Sequence, residues 1–119
     1  MTKLNVKRVY EPPARSDGAR VLVDRLWPRG VAKEKVKVDL WLKDIAPSHE
    51  LRKKFHGKPE AWDSFVSAYG KELMSDAAQA AVAELEVLRR KGPVTLLYAA
   101  RDDTHNNAVA LKAWLEKRK

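Results

Sequence analysis

Residues 94–115 read VTLLYAARDDTHNNAVALKAWL, and this stretch decides the fold class. Val94 to Ala100 form a nearly continuous apolar run, the pattern of a strand buried on both faces. The run passes into a polar segment, Arg101 to Asn107, and then into a helix over 106–118. Ala108, Leu111 and Leu115 mark the inner side of that helix, with Trp114 on a flank. A buried strand feeding a helix through a short polar turn is the building unit of parallel sheets.

Working outward, the preceding segment 76–91 places Ala78, Ala81, Leu85 and Leu88 at helical spacing. It ends in Arg89-Arg90-Lys91-Gly92, a basic last turn followed by a terminating glycine. Another helix is expected from Pro59, a residue favoured at the first helical position, with Trp62, Phe65, Val66, Tyr69 and Leu73 on one stripe. A shorter one spans 48–56 with Ser48 as its cap. Upstream, LNVKRVY (4–10) alternates as a strand. EPPARSDGA (11–19) is a loop by its prolines and its Ser-Asp-Gly turn. RVLVDRL (20–26) is a short buried strand closed by charge and then by Pro28-Arg29-Gly30. VDLWLKDI (38–45) reads as a third strand, with a helical turn as the alternative. Strands followed by helices, with a strand between helices near the end, give an α/β fold. The expectation is a single small domain over 1–119 with a mostly parallel or mixed sheet of about four strands covered by helices.

Composition narrows the chemistry. The chain has 119 residues and no cysteine, which removes disulfides, thiolate nucleophiles and Cys-ligated zinc. No apolar run is long enough to cross a membrane and the first residues lack a signal-peptide pattern, so a cytoplasmic protein is expected. The formal charge of +8 is unevenly placed. Residues 1–58 carry 15 Lys and Arg against 7 Asp and Glu, whereas residues 59–119 carry 9 against 9. Such asymmetry points to an anionic partner: a phosphorylated small molecule, a nucleic acid or an acidic protein. It also serves solubility alone in many small proteins.

Two segments carry candidate site residues. In parallel sheets ligands gather at the C-terminal ends of strands, where helix N-termini present unpaired N–H groups. The first segment is Asp24-Arg25-Leu26-Trp27-Pro28-Arg29. Arg25 and Arg29 are suited to fork onto one phosphate or carboxylate, Trp27 to stack on a ring, and Asp24 to move a proton. The bland alternative is an Asp24–Arg25 ion pair holding the turn. The second segment offers Arg101, Asn106 and Asn107 as anion-binding groups and His105 as a second proton carrier, unless Thr104 or Asp103 merely caps the helix. His49 and His56 read as surface residues. No metal-ligand spacing, glycine-rich dinucleotide loop, Walker loop or nucleophile elbow is present, and no cofactor is called for.

The blocks VLVDRLWPRG, WLKDIAPS, LRKKFHGKPEAWDSFVSAYGKEL and VTLLYAARDDTHNNAV together resemble the YeaO-like branch of the bacterial domain of unknown function 488 family. The resemblance runs nearly end to end. It implies positions rather than a reaction. Longer members carry a Leu-Val-Asp-x-Arg-type segment, near which Asp24 and Arg25 fall, and a Cys-His-Arg-type segment, near which Asn106 and Asn107 fall. This chain has no Cys there, and it has Asn107 where the short branch commonly shows His.

Three functional classes follow from these residues. A small-molecule anion site requires one cleft joining Arg25 to His105. Nucleic-acid binding requires Lys33, Lys35, Lys37, Arg52, Lys53 and Lys54 on one continuous face. A regulatory interaction protein requires an exposed apolar patch containing Trp. Whether the protein is an enzyme is left open by the sequence, as is its oligomeric state.

Overall fold

The computed structural model describes residues 4–117. Four strands, β1 (Leu4–Arg8), β2 (Ala19–Leu22), β3 (Leu40–Trp41) and β4 (Val94–Tyr98), form one sheet in the order β1-β4-β2-β3. Every pairing is parallel, with Val6 opposite Leu96, Val21 opposite Leu96, and Leu22 opposite Trp41. The sheet expected as mostly parallel or mixed is therefore parallel throughout. All five residues of β4 are buried, as the apolar run 94–98 requires of a central strand.

The described residues form five α-helices: α1 (Lys33–Val36), α2 (His49–Phe55), α3 (Trp62–Glu72), α4 (Asp76–Lys91) and α5 (Asn107–Lys117). Ser48 caps α2 by accepting the Leu51 N–H at 3.1 Å, and Ser75 caps α4 in the same way through Ala78. Pro59 opens a 3-10 turn over Pro59–Ala61, and the α-helix proper starts at Trp62. The single turn α1 has no counterpart in the sequence reading. It is four residues long, and Lys37 ends it in a left-handed conformation with φ 50°.

The two faces of the sheet are covered differently. One face carries the main core, where Val21, Val23, Val94, Leu96 and Tyr98 meet Tyr69, Leu73, Leu85 and Leu111 from the long helices. The opposite face is smaller. There Val9, Leu22 and Leu97 pack against Val36 of α1, with Trp27 and Trp41 in edge contact at 5.4 Å. Beside this second cluster lies a buried polar group. Asp17 pairs with Arg20 and with Lys7, and Arg20 also donates to the Val36 and Lys37 carbonyls. Burial pushes the Asp17 carboxyl upward. The Ala14 amide, Lys7 and Arg20 outweigh that effect and hold it below the usual carboxylate range.

Strand lengths were overestimated for identifiable reasons. The apolar residues of segment 38–45 do not keep alternating. Leu42 and Ile45 are buried while Lys43 and Asp44 are exposed, so after Trp41 the spacing becomes three and the backbone turns 3-10 over Lys43–Ile45. The segment 20–26 leaves the sheet once the Val23 N–H has bonded the Leu97 carbonyl at 3.1 Å. One glycine is obligatory. Gly18 enters β2 with φ 65°, and a Cβ there would lie 2.1 Å from the Pro93 carbonyl oxygen.

Candidate functional site

Because the strands are parallel, Arg8, Leu22, Trp41 and Tyr98 all end on the same edge of the sheet. β4 lies between β1 and β2 although it comes last in the chain, so connections leave its C-terminal end beside strands from the other end of the sequence. A crevice at such a reversal is the usual ligand position in an open parallel sheet. A cleft of about 850 Å³ opens there, within the roughly 300–1,000 Å³ typical of small-molecule sites.

Asp24 forms the floor where β2 and β4 part. Its Oδ2 accepts the Ala99 N–H at 2.9 Å, so a carboxylate replaces the backbone carbonyl that would have continued the strand pairing. Its Oδ1 accepts from Asn107 Nδ2 at 3.0 Å, and the same Asn107 nitrogen donates to the Val23 carbonyl at 2.9 Å. The Asp24 carbonyl accepts the Trp41 indole N–H. One residue thereby ties β2 to β3, β4 and α5. Burial raises the Asp24 carboxyl above its ordinary range, against the Asn107 and Ala99 hydrogen bonds and the nearby charge of Arg52.

Five cationic side chains line the cleft: Arg8, Arg25, Arg52, Lys58 and Arg101. None of them forms an ion pair with a carboxylate among the described residues. Arg25 does not pair with Asp24; its guanidinium donates to the Ala46 and Pro47 carbonyls at 3.0 and 3.4 Å. Arg8 donates to the Ala99 and Ala100 carbonyls. The side chains of Arg52, Lys58 and Arg101 are exposed and make no hydrogen bond to the described residues.

The β4–α5 loop is organised by Asp102. It accepts the Thr104 N–H, the His105 N–H and the Thr104 hydroxyl, which pull its carboxyl down to about 2. His105 Nδ1 lies 2.9 Å from Thr104 Oγ1 and 3.4 Å from Asp102 Oδ2. Neither Thr104 nor Asp103 caps α5. Asn106 does, with Oδ1 accepting the Val109 N–H while Nδ2 donates to the Asp102 carbonyl. The opposite wall is aromatic. Phe55, Phe65 and Trp62 are in sequential ring contact, and the His105 ring meets Trp62 edge-on at 5.1 Å.

Of the residues chosen from sequence, Asp24, Arg25, Arg101, His105, Asn106 and Asn107 line this one cleft. Trp27 and Arg29 do not. The Trp27 indole donates to the Val31 carbonyl and packs on the opposite sheet face, and the Arg29 carbonyl accepts from Tyr10 at the cleft rim. The chain bends over residues 24–26 and turns at 29–30, so residues two and four positions past Arg25 leave the strand edge. Arg8, Lys58, Phe55 and Trp62 were missed as site residues. Arg8 could have been found, since it closes a parallel strand as Asp24 nearly does. The others come from a helix end and a loop, and no local pattern marks them.

The two basic groups that a single nucleic-acid face would need are separated. Val36 of α1 belongs to the smaller cluster and Leu51 of α2 to the main core, so Lys33, Lys35 and Lys37 lie across the sheet from Arg52, Lys53 and Lys54. None of the four Trp residues is exposed. His49 and His56 are both exposed. Among the described residues no three His, Asp or Glu side chains gather as they would around a metal ion, and no helix is long and apolar enough to cross a membrane.

The comparisons agree on the family. A family model described as the inactive DUF488-N3 subclade matches residues 3–119. The chain belongs to the DUF488 family. Among DUF488 relatives, the uncharacterized protein YeaO of Escherichia coli is 45% identical over 112 residues, covering 94% of this chain and 96% of that protein. An uncharacterized protein of Mycobacterium bovis, Mb3100c, and one of Mycobacterium tuberculosis, Rv3073c, are each 44% identical over 117 residues. They cover 98% of this chain and 97% of their own. No solved structure matches this DUF488 chain.

Proposed function

We propose that this DUF488 protein binds an anionic small molecule in the cleft at the strand C-termini and does so without chemistry. The carrying observation is the set of five cationic side chains on one cleft with no carboxylate among the described residues in an ion pair with any of them. Five cations against the two carboxylates that line the same cleft, Asp24 and Asp102, leave an excess of positive charge in a concave site, which favours an anion, and guanidinium groups suit phosphate and carboxylate geometry. The non-catalytic half of the reading rests on Asp24 and on the subclade. Both oxygens of Asp24 are committed to Ala99 and Asn107, which gives it the role of a brace. The family description carries the word inactive.

The test is calorimetric titration with pyrophosphate at low and high salt, on the native protein and on the Arg52→Ala and Arg101→Ala variants. Both side chains are exposed and neither makes a hydrogen bond to the described residues, so the fold is expected to survive their loss. Saturable binding that weakens about tenfold in each variant is expected. Absence of pyrophosphate binding overturns the reading, and salt-sensitive retention on DNA in its place would favour a nucleic-acid partner. Turnover of an aryl phosphate ester that disappears in Asp24→Asn would overturn the non-catalytic half.

A further inference from the structure

The cleft has a second character that charge does not explain. Beside the cations stands a run of four rings, Phe55, Phe65, Trp62 and His105, each within 6 Å of the next by ring centroid. Phe65 is buried and serves the core. Phe55 and Trp62 are only half-buried and the His105 side chain is 39% exposed, yet all of them line the cleft. A site built for a bare inorganic anion gains nothing from leaving partly wetted aromatic area beside it. A phosphate alone would also fill a small part of about 850 Å³.

We infer that the ligand carries a flat heteroaromatic ring as well as its anionic group, which makes a nucleoside monophosphate the fitting class. The ring would lie against Trp62 and His105, and the phosphate against Arg52, Lys58 and Arg101. These two sets come from neighbouring elements. Trp62 opens α3, while Arg52 and Lys58 lie on α2 and the turn that leads into that helix. His105 and Arg101 share the β4–α5 loop. A ligand that touches one set is therefore within reach of the other. Aromatic side chains stack on bases of any identity, so the arrangement selects the class and leaves the base open.

This inference rests on the anion reading above, and the experiment separates the two. Pyrophosphate, ribose 5-phosphate and adenosine 5′-monophosphate are titrated against the native protein and against His105→Ala and Trp62→Leu, with tryptophan fluorescence followed in parallel. The expected result is adenosine monophosphate binding about tenfold or more tighter than ribose 5-phosphate, with quenching by the nucleotide only. His105→Ala should narrow that ratio, lowering nucleotide affinity by more than it lowers pyrophosphate affinity. It alters an exposed side chain, so it remains informative if Trp62→Leu fails to fold. Equal affinity for the nucleotide and ribose 5-phosphate overturns the inference while the anion reading stands. Binding of the nucleotide without binding of pyrophosphate overturns the anion reading, and no binding of any of the three overturns both.

Discussion

Asp24→Ala is the sharpest probe of how the crevice is held open. In the native chain the carboxylate satisfies two donors, the Ala99 amide at 2.9 Å and the Asn107 amide at 3.0 Å. Alanine leaves both facing a partly buried gap, at about 1–3 kcal/mol each. Removing a buried carboxylate returns part of this, because burial raises the Asp24 carboxyl above its ordinary range. The net loss should be about 2–4 kcal/mol. For a domain of this size each kcal/mol lowers Tm by roughly 3–6 °C, so a fall of about 10–20 °C is expected in calorimetry. The pH dependence has a definite sign. A raised folded-state value means that Asp24 contributes most stability below the ordinary carboxylate range and loses that contribution as pH rises through the raised value. The difference between native and Asp24→Ala should therefore be larger near pH 4 than near pH 8. A Tm within 2 °C of native, or a difference that grows with pH, would refute the brace.

The opposite sign is expected at Asp17. Its carboxyl is held down by the Ala14 amide, Lys7 and Arg20 against the effect of burial, so Asp17→Asn should cost about 3–5 kcal/mol at neutral pH by stranding the buried Arg20 charge. That cost should shrink as pH falls through the depressed native value, and urea titrations at pH 7 and pH 3 would show it. Gly18→Ala should destabilise by about 2–4 kcal/mol, since it combines a φ that side chains avoid with a contact against the Pro93 carbonyl. Equilibrium unfolding close to native would show that the β2 entry can shift to make room.

The parts of the fold readable in sequence were those in which a single local signal sufficed. Val94 to Tyr98 announced a central strand because all its residues are apolar or small enough to be buried, and Ser48 announced a helix start by its hydroxyl. The segment 38–45 misled because Leu40, Leu42 and Ile45 satisfy alternation and three-residue spacing almost equally well, and only burial decides between them. That Asp24, Arg25 and the Arg101–Asn107 loop meet at one cleft was legible because they follow the C-terminal ends of neighbouring strands in a parallel sheet. Trp27 and Arg29 were carried along by proximity in sequence, and the bend over residues 24–26 breaks that link. Trp62 looked like any core residue of an amphipathic helix. Its place in the cleft depends on which helix end meets which loop, and that is tertiary information.

The position of β4 has a consequence for how the protein comes into being. β1 and β2 make no ladder with each other; each pairs with a strand that begins at Val94. During synthesis the first ninety or so residues therefore have no central strand on which to assemble, and β1 has none at all. The sheet closes only once Val94–Tyr98 has been made, through long-range pairs such as Leu4 with Val94. Such topologies fold slowly compared with local ones. Until Val94–Tyr98 arrives, the nascent chain exposes unpaired strand edges of the kind that chaperones shield, and a truncation before residue 94 should leave no stable sheet.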